Sequence, residues 1–106
     1  MPKFLLRGSY TADGVNRLIE HGASKRRQEV EQAVSALGGR LEALYWAFGE
    51  DDVYCIVDLP NSLSMAALSL SAAAAGLFRP TTVVLMTPEE VDEATKQSSD
   101  IRAPGT

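Results

Sequence analysis

Apolar positions along this chain alternate or recur with periods that mark out its elements. The segment KFLLRGSY has the apolar and aromatic enrichment of a strand, assigned to Lys3–Ser9, and SYTADG ends it with turn and cap residues. From Thr11, an N-cap residue type, Val15, Leu18 and Ile19 recur at helical spacing until Gly22, which suits a left-handed C-terminal position. After Ser24, the residues Val30, Ala33, Val34 and Leu37 share a second helical face, and Gly38–Gly39 stops it. The two stretches make one helical arm with a break.

RLEALYWAF and DVYCIVDL then read as two strands separated by a connection around Gly49–Asp51, short enough for an antiparallel hairpin. NSLSMAALSLSAAAAG carries Asn61 or Ser62 as cap, strong helix formers inside and Gly76 at its end. Pro80 precedes the β-branched run TTVVLMT, and Thr87-Pro88-Glu89-Glu90 opens a last helix with proline at its first position and acids in its first turn. The order β-α-β-β-α-β predicts an α+β, ferredoxin-like unit: a four-stranded antiparallel sheet with both crossover helices on one side, and an extra C-terminal helix. Residues 1–95 form the expected single domain, and 96–106 a flexible tail.

The hairpin says something about association. An even-length connection puts Leu44, Trp46 and Phe48 on one face with Val53, Cys55 and Val57, and leaves Tyr45, Ala47, Tyr54 and Ile56 opposite. Neither strand offers a polar face in any register. A sheet covered by helices on one side therefore keeps an apolar face to bury, and a second copy of the chain is the expected cover, giving a homodimer or higher oligomer.

Composition narrows the partners. At 106 residues the chain has the size of one domain, able to bury roughly 65% of its unfolded surface. A formal charge of -4 gives no general attraction to phosphate backbones, so nucleic acid is not expected. Residues 1–10 hold only a short apolar run interrupted by Arg7, and no long uncharged apolar stretch follows, so the expectation is a cytoplasmic protein with no membrane partner. One histidine and one cysteine do not supply the usual ligand set of a structural zinc site, and no metal or other cofactor is expected.

Several ordered pieces resemble the bacterial GYD domain family: Lys3-Phe4-Leu5-Leu6 with Gly8-Ser9-Tyr10-Thr11, the stretch RRQEVEQAVSALGGRLEALYWAFGEDDVYCIVDLP, and the closing TTVVLMTPEEVDEA. The resemblance covers about residues 1–95. It implies a dimeric α+β barrel built on the ferredoxin-like unit, in a family whose biochemical function is largely unassigned. The family's name-giving turn usually carries Gly-x-Tyr-Asp; here Gly49 and Asp52 match while Asp51 fills the tyrosine position. Similar barrels in other families include cofactor-independent monooxygenases, isomerases and haem-handling proteins, which often use a pocket between sheet and helices.

The residues themselves offer a short set of candidates. Asp52, a carboxylate at a strand start among aromatic and aliphatic neighbours, could act as a general base; the competing reading is that it accepts hydrogen bonds from its own turn, with Glu50 and Asp51 solvated. His21 could shuttle protons, or simply face the C-terminus of its helix. Lys25-Arg26-Arg27 opposes the dipole of the helix it begins, so either Glu29, Glu31 or solvent compensates, or Arg26 and its neighbours meet an anionic ligand or an acidic edge of a second subunit such as the Glu50-Asp51-Asp52 turn. Tyr10, Tyr45, Trp46 and Tyr54 could line a pocket for a small apolar or aromatic molecule, against the plainer alternative of core and interface packing. Cys55, in mid-strand, reads as a small buried apolar residue. The leading function is a small-molecule-binding module with a cavity of about 300 Å³ or more near the aromatics. The alternatives are a cofactor-independent enzyme of monooxygenase or isomerase type using Asp52 as base with His21 or a tyrosine assisting, and a structural or assembly protein.

Overall fold

A computed structural model describes residues 1–101. The chain runs through β1 (Lys3–Tyr10), α1 (Ala12–His21), α2 (Ala23–Ala36), β2 (Arg40–Trp46), β3 (Val53–Asp58), α3 (Ser62–Ala74), β4 (Phe78–Leu85) and α4 (Pro88–Ser98). The strands form one antiparallel sheet in the order β2-β3-β1-β4. With α1 and α2 taken as one broken arm, this is the α+β, ferredoxin-like order expected from the sequence, followed by the extra helix. Of the expected tail, Lys96–Ser98 is helical and 102–106 lies outside the described residues.

Local chemistry sets the helix ends. The Thr11 side chain accepts from the Gly14 amide at 3.2 Å, and Gly22, with φ 82°, breaks the arm between α1 and α2. The Asn61 side chain accepts from the Ser64 amide at 2.9 Å to start α3. Thr87 and Glu90 form a reciprocal capping box ahead of α4, which has proline in its first turn.

The core lies between the helix-facing side of the sheet and α2 and α3. Phe4, Leu6, Val53, Cys55, Val57 and Phe78 come from the strands, Val34 from α2, Met65 and Leu68 from α3, and Leu59 from the segment after β3. Val34, Val57 and Leu59 are fully buried. The α2 face expected from Val30, Val34 and Leu37 is the one that packs on this core. On α1 the outcome differs: Val15 and Ile19 are 40% and 77% exposed. Helical spacing makes a stripe, but α1 reaches the sheet chiefly near Tyr10–Gly14, and most of the stripe faces outward.

The hairpin keeps the expected parity, with Leu44 opposite Cys55, Tyr45 opposite Tyr54, and Trp46 opposite Val53. Two features depart from the sequence reading. A bulge between Leu41 and Ala43 inserts Glu42 into β2. After Trp46 only the Ala47 amide continues the ladder, donating to the Asp52 carbonyl at 3.0 Å. Phe48 then turns left-handed at φ 55° and is exposed, instead of joining the Trp46 face.

The opposite face of the sheet carries a continuous apolar row, Ala43–Ile56–Leu5–Val83, one residue from each strand, all half-buried within one chain. Tyr45, Tyr54 and Arg7 form the next row. Charge pairs border this surface. At one end Lys3 Nζ lies 2.8 Å from Asp58 and 2.9 Å from Glu42, and Arg40 reaches Asp58 at 3.0 Å. The hydrogen bond from Lys3, with help from Arg40, holds the Asp58 carboxyl below its ordinary range. At the other end Arg7 lies 2.6 Å from Asp51, whose side chain is 15% exposed, so Asp51 is an ion-paired residue and not the solvated turn acid expected.

The molecule is long. Its principal extents are 59 × 28 × 22 Å and its radius of gyration is 16.8 Å, against about 13 Å for a compact chain of this size. Helix α4 buries no residue and makes no substantial packing contact with another element.

Candidate functional site

Where α3 runs over the sheet its residues are small. Ser71, Ala72 and Ala75 do not fill the space down to the strands, and a cavity of about 160 Å³ remains between α2, α3 and the sheet. Its floor is Leu6, Leu44, Val53 and Cys55 from the strands, with Phe78 and Trp46 at the sides. Val30 and Ala33 of α2 and Leu68 of α3 line its helix side. Small residues can let a helix approach a sheet closely; here they leave room.

Beside the Ser71 hydroxyl of α3, three polar features meet the cavity. Arg26 Nη1 lies 3.4 Å from Glu29 Oε2, so the guanidinium on the cavity wall is balanced by a carboxylate from its own helix. Arg27 pairs with Glu31 at 3.6 Å in the same way, so two of the three cations at the start of α2 are balanced from within the helix. Trp46 Nε1 donates to Tyr10 Oη at 2.9 Å, and the Tyr10 ring meets Phe78 edge to face with centroids 6.0 Å apart. The thiol of Cys55 is the third: burial pushes its pKa up to about 11, so it stays protonated at neutral pH and serves as a small apolar surface.

The residues singled out in the sequence divide among four places. Tyr10, Arg26 and Trp46 line the cavity. Tyr45 and Tyr54 pair with each other on the opposite sheet face, Tyr45 being 71% exposed, so the aromatic cluster expected around one ligand is split across the sheet. His21 borders a recess of only about 10 Å³ between α1 and α2, with Arg17, Gly22 and Leu77, and lies 4.0 Å from Glu20. Asp52 is outside the cavity lining; its Oδ2 accepts from the Tyr10 amide at 2.9 Å and its own amide donates to the Gly8 carbonyl at the same distance. Asp52 thus ties the hairpin to the end of β1 and fixes the backbone of Tyr10. Glu29, Cys55, Leu68, Ser71 and Ala72 were not picked out as site residues; the cluster of small residues on α3 was the signal that could have found the last three.

Among the described residues no group of three or more His, Cys, Asp or Glu is placed to hold a metal ion. No described helix is long and apolar enough to cross a membrane.

No curated protein and no solved structure matches this chain. The family described as GYD domain does, over residues 4–95, and the chain belongs to that family.

Proposed function

We propose that this GYD-family protein is a small-molecule-binding module, working as a homodimer, whose ligand occupies the cavity between the sheet and helices α2 and α3. The observation that supports it is a largely apolar space of about 160 Å³ edged by a tyrosine, a tryptophan and an ion pair. This is smaller than the 300 Å³ anticipated from the sequence. It is close to the roughly 150 Å³ of an apolar protein cavity that accepts benzene, and below the size that takes drug-like molecules. The ligand is therefore compact. Binding is preferred to monooxygenase or isomerase chemistry because Asp52 is engaged with backbone outside the cavity, and His21 is absent from the cavity lining, bordering instead an adjoining recess of about 10 Å³.

Benzene is the direct probe. It is expected to raise the melting temperature of the native protein in a concentration-dependent way, since a ligand that binds only the folded state stabilises it by mass action. Ala72→Phe, which fills the space from α3, is expected to abolish that rise. A wild-type melting curve indifferent to saturating benzene would refute the proposal.

The dimer rests on the row Ala43–Ile56–Leu5–Val83 and its neighbours Tyr45 and Tyr54, an apolar face with charge pairs at its borders. Two such faces packed together would bury the apolar row and leave the borders in water. Sedimentation equilibrium at micromolar concentration is expected to give twice the chain mass for the native protein and the single-chain mass for Ile56→Asp. A native monomer at that concentration would sink the dimer.

A further inference from the structure

The Tyr10–Trp46 pair at the cavity leaves one hydrogen-bonding group unspent. A tyrosine hydroxyl both accepts and donates. Its oxygen here accepts the indole N–H of Trp46 at 2.9 Å, while its own proton has no acceptor among the described residues. Accepting a bond polarises the phenol and strengthens it as a donor, most of all in an apolar surround. Its position is fixed from two sides, by the Asp52 carboxylate on the Tyr10 amide and by the edge of Phe78 on its ring.

The other charged groups at the cavity do not ask for an ion. Arg26 is matched by Glu29, so a carboxylate ligand would have to compete with a side chain on the same helix. Cys55, held protonated, offers neither a charge nor a thiolate. A neutral ligand whose apolar body fills the space and whose acceptor meets the phenol uses this donor and leaves the Arg26–Glu29 pair intact.

Resting on the binding function above, we infer that the ligand class is small, neutral carbonyl compounds, compact aldehydes or ketones whose oxygen accepts from Tyr10 Oη while Trp46 supports the phenol from behind. Asp52 is a positioning residue in this arrangement: it holds the backbone of the residue that carries the donor.

The test uses the native chain and a near-isosteric pair of probes, cyclohexanone and methylenecyclohexane, titrated by calorimetry. Both are expected to bind. Tyr10→Phe keeps the ring against Phe78 and removes only the hydroxyl, so it is expected to weaken cyclohexanone by roughly fivefold and leave the hydrocarbon unchanged. Trp46→Phe, which removes the indole N–H, is expected to weaken the ketone selectively by a smaller factor. Infrared spectra of bound cyclohexanone on the unmutated protein read the same bond without a variant: the carbonyl stretch is expected to lie below its value in hexane. If both probes bind, Tyr10→Phe treats them alike and the stretch is that of hexane solution, the carbonyl class is wrong while the binding module stands. If neither probe binds the native protein, both fall.

Discussion

Gly8→Ala is expected to cost about 3 kcal/mol of stability and to damage the cavity at the same time. Gly8 sits in β1 opposite Val53 on one side and Pro80 on the other. A methyl group added there would run into the carbonyl oxygen of Arg79 and stand 2.9 Å from Cζ of Phe78. The first obstacle is backbone, which has no rotamer to change, so β1 and β4 would have to part along a line that holds the sheet together. The second is a wall of the cavity. Chemical denaturation should show the midpoint falling sharply with little change in slope. The folded fraction should also lose benzene binding; a variant within about 0.5 kcal/mol of the native protein, the scale of an ordinary surface change, would mean that this close approach is not as drawn.

Leu59→Ala is expected to cost a similar amount, about 3 kcal/mol, by a different route. Leu59 is fully buried beyond the end of β3, and its amide donates to the Pro2 carbonyl at 3.0 Å. Truncation would leave a void beside a segment pinned by that bond and by the end of β3, with little freedom to collapse inward. For a domain of this size the melting temperature should fall by on the order of 15 °C. Leu59 does not line the ligand cavity, so the affinity of the folded variant for benzene should be unchanged, in contrast with Gly8→Ala. A loss below about 1 kcal/mol would show that the site relaxes after all.

Much of the fold was legible because its signals are local. Thr11, Gly22, Asn61 and the Thr87–Glu90 box announce helix ends through hydrogen bonds to residues a few positions away, and each does so in the structure. The hairpin pairing of Leu44 with Cys55 followed from parity alone. Parity also put Tyr45 and Tyr54 opposite Trp46, yet all of them were offered as one ligand site. Which face meets the helices is decided by the whole sheet, and two apolar faces do not distinguish themselves in the sequence. The Arg7–Asp51 and Lys3–Asp58 pairs were missed for the same kind of reason, since they join β1 to residues far along the chain, while the Glu42 bulge lies within the hairpin and carries no turn residue to announce it. The cavity was half visible: its aromatic side was named, but a gap made by small residues looks in sequence like a place for tight packing.

The outer strands of the sheet carry a further meaning. One margin is β2, kinked by the inserted Glu42 and flanked by Lys3, Arg40 and Asp58; the other is β4, where Pro80 has no N–H to offer a neighbour. An unprotected margin is a template on which further strands add, one molecule after another, without limit. Interruptions at both margins oppose that open-ended growth but leave the broad apolar surface untouched, and this is what the proposed dimer requires: face-to-face pairing closes after two, where edge-to-edge growth would not.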